Sequence, residues 1–313
     1  MFVAMKFPSS PFYPSKVLNC ESFSYSTVSP AINAIPQFLR ENKSATMADP
    51  KNIPWHHAHD TTDPIFKWIN DRPEVLKSFT GWMAGQRDGL PTFFNAVDFE
   101  EEFAKGADES TPVFVDVGGS MGHQCVALRQ RYPNLVGRVV LQDLPETIER
   151  VKTNPLPGFE GIEVFVHDFF KPQPLRGEFV SFSCYSSPPA HDAESGISNQ
   201  WYQILILMSG ARVYYLRNVL HDWPDEKCIS ILQNLKPALT AESQILVDEM
   251  ILPEKGTPWR AAQQDFIMGA CVAAQERSHS EWLALFDRAG LRVERLWKYT
   301  EELSDHLISL VPK

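Results

Sequence analysis

The chain has 313 residues, 43% of them hydrophobic and 22% charged, enough apolar sequence for one large domain and a smaller one. A formal net charge of −10 without any Lys/Arg-rich run excludes a nucleic-acid footprint. The five cysteines are scattered and form no CxxC pair, which excludes a disulfide framework or zinc ribbon, and no window approaches the length of a membrane span. A cytoplasmic protein acting on a small molecule, with no membrane or nucleic-acid partner, is expected.

Residues 1–30 are rich in Ser, Pro and aromatics without period and read as irregular. From about Pro30 to Phe103 the pattern turns helical, with Ile65, Trp68 and Ile69, then Leu76, Phe79 and Trp82, at i, i+3, i+4 spacing. After KGADEST the signals alternate: TPVFVDVGG as a strand, HQCVALRQRYP as a helix, GRVVLQD as a strand, ETIERVK as a helix and IEVFVHD as a strand. The rhythm resumes with ARVYYLRNV, DEKCISILQNLKPAL, SQILVDEMI, SEWLALFDRAG, LRVERLWKY and HLISLVPK. This predicts an α/β fold, a Rossmann-like doubly wound sheet from residue 111 onward. The expected organisation is an irregular region 1–48, a helical region 49–110 and a cofactor domain 111–313.

The first strand runs through Asp116 into Gly118, Gly119 and Gly122 and straight into a helix. Such glycines permit a tight turn and close ligand approach at a strand's carboxyl end, although a plain strand-to-helix turn has the same look. Asp143, followed by Leu144, closes the second strand about 24 residues after Gly119, where a carboxylate can accept ribose hydroxyls. Asp168 and Phe169 follow the third strand and suit an adenine amino group and ring. One strand-end Asp is more often a turn former or cap, but three successive strands carry one. The spacing G-G-x-x-G, not G-x-G-x-x-G, and Asp116 ahead of it favour the sulfonium cofactor S-adenosylmethionine over NAD.

His221 follows the fourth strand, just before a Pro-started helix. Its ring suits removal of a proton from a weakly acidic hydroxyl, whereas a helix-entry His bonded to backbone is equally common; Asp222 reads as a cap. Glu249, ending the next strand, and Glu276, in the polar stretch GACVAAQERSHSEW, are candidate carboxylates for orienting the imidazole, although Glu276 alone also reads as a solvated loop acid. His56 and His59 have helix-face spacing for a metal, but no further ligand set accompanies them, so they read as lining an acceptor pocket and no metal is expected. Met268 and Phe266 could add to that pocket, but core packing is the role expected of each.

In this order, VDVGGSMGH, LQDLPET, VHDFF, LRNVLHDWPDEKC, VDEMILP and AAQERS resemble class I S-adenosylmethionine-dependent O-methyltransferases of the plant caffeate and fungal secondary-metabolite type. The resemblance implies that Gly118 and Gly119 lie against the cofactor's methionine part, Asp143 binds ribose, Asp168 and Phe169 border adenine, and Arg217 is a basic cofactor neighbour. It implies His221 as general base flanked by Glu249 and Glu276, a phenolic small-molecule acceptor and no metal. A relative of the same fold without turnover is the alternative. The resemblance also implies an N-terminal dimerisation domain, here shortened to about 110 residues before the glycine loop, which weakens the expectation of a homodimer.

Relatives pass from the third to the fourth strand through text resembling PQPLRGARVYYLRN, and removing residues 177–209 restores it. This stretch reads as an unstructured insertion and, by hypothesis, a translated intron: Gly-Glu-Phe and Ser-Gly can be encoded by splice-donor-like and acceptor-like strings, and joining the flanks regenerates a Gly codon in frame.

Overall fold

The computed structural model describes residues 23–43, 47, 49–85, 90–175 and 210–313. The expected insertion at 177–209 lies outside them. Two units divide the chain: Met1–Leu90 with His221–Pro224 and Thr257–Glu276, and Pro91–Leu220 with Asp225–Gly256 and Arg277–Lys313.

The second unit holds the sheet. Its strands are β1 (Pro112–Val117), β2 (Arg138–Asp143), β3 (Ile162–Val166), β4 (Val213–Arg217), β5 (Gln244–Leu252), β6 (Arg277–Ser278), β7 (Leu291–Lys298) and β8 (Asp305–Pro312). The order is β3-β2-β1-β4-β5-β8-β7, with the two-residue β6 paired to β5. Strands β1 to β5 are parallel to their neighbours, and β8 runs antiparallel to both β5 and β7. This is the Rossmann-like doubly wound arrangement, with its chain reversal at β1 and β4, where ligands of such sheets bind. All six residues of β1 are buried, as a strand covered on both faces requires. Val113, Phe114, Val139, Leu141, Val213, Tyr215 and Leu246 form the core with Cys125, Leu128, Ile148 and Val151 from the two helices that follow β1 and β2.

Those helices are numbered after four in the first unit: α1 (Ser29–Glu41), α2 (Pro54–His59), α3 (Ile65–Asn70) and α4 (Pro73–Gly85). The second unit contributes α5 (His123–Arg131), α6 (Pro145–Thr153), α7 (Asp225–Leu235) and α9 (His279–Arg288), and α8 (Trp259–Val272) belongs to the first. Pro30, Pro54 and Pro145 stand in the first turns of their helices, where a missing N–H costs nothing. In the first unit Trp55, Ile53, Ile65 and Ile69 pack with Val28 and Ala31 and with Ala270 and Cys271 of α8. Among the described residues no helix is long and apolar enough to cross a membrane.

Helix α1, Ser29–Glu41, buries Ala31 and Phe38 and lies where the sequence pattern turns helical, inside the region 1–48 otherwise read as irregular. The expected boundary at 110/111 falls instead at 90/91, because Phe93, Phe94, Val97, Phe99 and Phe103 pack into the sheet's core. Between Pro91 and β1, in the region expected to be helical, the backbone forms a 3-10 turn (Phe93–Asn95) and a π turn (Glu100–Ala104).

Candidate active site

At the end of β1 the backbone turns sharply, with Gly118 at φ +72°. Its N–H and that of Gly119 both donate to the Gln142 carbonyl, at 2.8 and 3.3 Å. A Cβ on Gly119 would lie 2.4 Å from Asp116 Cγ and 2.6 Å from Leu141 Cδ1, so no larger residue fits. A Cβ on Gly118 would sit 3.3 Å from both Phe169 and Val219. The turn thus lies against residues that follow β3 and β4.

Asp143, which ends β2, completes this cluster. Its Oδ2 accepts from Ser120 N and its Oδ1 from Leu144 N, both at 2.8 Å, leaving the carboxylate fixed beside the glycine turn. The Leu144 side chain is half exposed. Asp168 Oδ1 accepts from Phe170 N at 2.9 Å, which shapes the turn after β3, and Asn234 Nδ2 donates to the Phe169 carbonyl. Arg217, at the end of β4, lies 3.7 Å from Asp248. Burial works against its charge, but Asp248, Tyr215, Tyr299 and Asp305 together outweigh burial and hold the guanidinium protonated. Asp248 also accepts from the hydroxyls of Tyr215 and Tyr299.

Asp116 points beneath the turn. It is buried, with the Cys125 thiol donating to its Oδ2 at 3.6 Å, and burial pushes its carboxyl up to about 7.

The base candidate sits in a short 3-10 turn, Leu220–Asp222. His221 Nδ1 is 2.9 Å from Glu276 Oε1, both side chains buried. With a carboxylate as acceptor Nδ1 carries the proton, so the basic lone pair is on Nε2. Glu276 is itself placed by its N–H, which donates to Asp265 Oδ1 at 2.9 Å. Asp222 Oδ1 stands 3.6 Å from His221 Nε2, and burial, opposed by His221, pushes its carboxyl up to about 6. Glu249, buried on β5, uses Oε1 to accept from Val219 N and Leu220 N at 3.0 and 2.9 Å. Sequence brought forward a carboxylate here; the backbone it holds emerges only from the fold.

The His56 and His59 rings are engaged separately. Nδ1 of His56 accepts from Ile53 N at 3.4 Å, whereas His59 Nε2 bonds the Thr27 carbonyl at 2.9 Å and its ring lies tilted against Trp55, centroids 4.0 Å apart. Met268 is buried as expected, but Phe266 is 55% exposed, because it lies on the outer face of α8, two turns beyond the exposed Trp259. Sequence reasoning missed Asp248 and Arg277, since nothing in local pattern marks a charged residue as buried and fully bonded.

Known proteins resemble this chain over most of its length. Residues 206–292 match the family described as O-methyltransferase domain. The O-methyltransferase LepI of Aspergillus flavus is 33% identical over 273 residues, 87% of this chain and 61% of that protein. The demethylsterigmatocystin 6-O-methyltransferase StcP of Emericella nidulans is 35% identical over 242 residues, 77% of this chain and 98% of that one. Among solved structures, LepI in complex with SAM superposes with a TM-score of 0.78 at 30% identity, covering 95% of this chain and 67% of the other. The chain spans about three fifths of the length of the first curated relatives, 61% and 58%.

Proposed function

The chain belongs to the O-methyltransferase family, and from that membership and the buried His221–Glu276 pair we propose that it transfers a methyl group from S-adenosylmethionine to a phenolic hydroxyl of a small aromatic secondary metabolite. When bound, this cofactor supplies an electrophilic methyl on a positively charged sulfur. The residues present fit it: the Gly118–Gly119 turn, which a Cβ on Gly119 would fill, allows close approach of its methionine part. Asp143, already oriented by two backbone amides, is suited to the ribose hydroxyls. Leu144, Asp168 and Phe169 border adenine in this reading, and Asp116 and Arg217 flank the amino-acid end.

His221 Nε2 takes the proton of the phenolic hydroxyl as its oxygen attacks the methyl carbon. Glu276, bonded to Nδ1, holds the tautomer and supports the imidazolium that forms. Proton removal by a positioned base contributes on the order of a hundred- to ten-thousand-fold. With His221 as base, the reaction as written calls for no metal ion. The polyketide-type acceptor rests on relatives named as demethylsterigmatocystin 6-O-methyltransferases.

The observation that carries this reading is the 2.9 Å His221–Glu276 bond in a buried setting. Calorimetry with S-adenosylmethionine, followed by methyl transfer from labelled cofactor to a panel of phenolic polyketides, tests it. His221→Ala should retain cofactor binding and lose about a hundredfold or more in rate. Undiminished turnover in that variant rules out the base assignment, and binding without turnover on the whole panel favours a non-catalytic relative.

A further inference from the structure

Arg277 is 1% exposed, and its guanidinium bonds residues on both sides of the segment that carries His221. Its Nη1 donates to the Leu220 carbonyl at 3.1 Å, the residue bonded to His221 on the amino side. Its Nε and Nη2 both donate to Asp225 Oδ1, at 3.0 and 2.9 Å, just beyond the carboxyl end of the 221–224 segment. One guanidinium therefore ties together the two flanks of the segment. The Leu220 carbonyl also accepts from the Cys228 thiol at 3.1 Å, and burial pushes that thiol up to about 12, so it remains a donor. On the other side of the same residue, Glu249 holds the Val219 and Leu220 amides. Finally, Arg277 is peptide-bonded to Glu276, the acceptor of the His221 Nδ1 bond.

Burying a guanidinium is expensive unless every donor is directed at an acceptor. Here the fork is directed at one carboxylate and one peptide carbonyl, and Trp282 lies against its face at 5.1 Å. Such an arrangement is more costly than a hydrophobic plug of similar volume and is worth keeping where it fixes geometry.

We propose that Arg277 is a positioning residue for the catalytic pair: by clamping Leu220 and Asp225 from a chain position adjacent to Glu276, it sets the imidazole of His221 in register with its carboxylate. This rests on the His221 reading above. A lysine at 277 keeps the charge but supplies a point donor in place of a planar fork, and cannot hold both flanks at once.

The test uses the full chain with histidine ring nitrogens labelled with 15N, and needs no acceptor. The His221 Nδ1–H resonance, identified by its loss in His221→Gln, is expected downfield and slow to exchange in the unaltered chain. Arg277→Lys should speed its exchange with water by about tenfold or more, the factor a weakened charge-assisted hydrogen bond carries, while S-adenosylmethionine affinity stays within about twofold. Asp225→Asn, altering a side chain that is 45% exposed, should produce a smaller change of the same sign and decides the matter if Arg277→Lys does not fold. A His221 resonance unchanged in the folded variants overturns the proposal. Absence of a bonded Nδ1–H in the unaltered chain overturns the His221–Glu276 reading itself, before any Arg277 variant is made.

Discussion

The hydroxyl of Tyr214 donates to the Leu175 carbonyl at 2.6 Å and accepts from the N–H of Ala211 at 3.1 Å. Two chain positions separated by the whole of 176–210 are therefore both within reach of one buried oxygen. If residues 177–209 are removed, Leu175, Arg176, Gly210 and Ala211 become consecutive, and a four-residue turn with Gly at its third position is well suited to that short span. We expect the deletion variant to fold, to bind S-adenosylmethionine as the full chain does, and to gain up to about 2 kcal/mol from the shorter closure. Thermal unfolding of both forms measures this, and a large drop in midpoint shows that these residues belong to the fold. Sequencing the spliced transcript addresses the intron hypothesis separately, which fails if the messenger encodes them.

Gly119 offers a sharper probe of the glycine turn. Adding one methyl there brings it to 2.4 Å from Asp116 Cγ and 2.6 Å from Leu141 Cδ1, both in tightly packed surroundings. Gly119→Ala should cost about 1–3 kcal/mol in stability through overpacking and weaken S-adenosylmethionine binding at least about tenfold, since the turn must shift. Urea unfolding and calorimetry on the same sample check both. Unaltered affinity would show that the cofactor does not use this turn.

The strands were legible because burial on both faces writes a continuous apolar run, as in β1, and because glycine followed by a helix marks the turn beyond it. His221 stood out as a titratable residue at a strand end and Glu276 as an acid in a polar stretch, although 55 residues separate them and only the fold brings them to 2.9 Å. Helix α8 was missed because Trp259 and Phe266 face outward and blur the apolar stripe expected of a buried helix. Arg277 was invisible for a different reason. Its role comes from acceptors at Leu220 and Asp225, far off in sequence, and no local periodicity reports tertiary bonding.

Asp116 predicts a pH dependence of stability. Its carboxyl rises from an ordinary 3.8 to about 7 in the folded chain because it is buried. Between about pH 4 and 7 the folded state keeps a proton that the unfolded chain gives up, so this group favours folding at low pH and its contribution is lost as pH rises through 7. Asp116→Asn, which cannot ionise, should gain in urea midpoint relative to the unaltered protein as pH is raised from 5 to 8. A difference that stays constant across that range shows that Asp116 ionises in the fold without penalty.

Glu249 separates anchoring from charge. Its Oε1 accepts two backbone N–H groups, from Val219 and Leu220, immediately ahead of His221. Glu249→Ala strands both buried donors, and at about 1–3 kcal/mol for each unsatisfied group it should lower stability by roughly 2–6 kcal/mol. Glutamine retains an oxygen that can accept from both amides, so Glu249→Gln should stay within about 1 kcal/mol of the unaltered protein. If Glu249 acts on His221 through the backbone it holds, kcat falls less than about tenfold in the glutamine variant and far more in the alanine variant, the loss following displacement of the base. Chemical unfolding together with methyl-transfer kinetics on both variants reads the two effects apart. A glutamine variant that is fully stable yet as slow as alanine puts the carboxylate's charge, not its grip on the turn, into the chemistry.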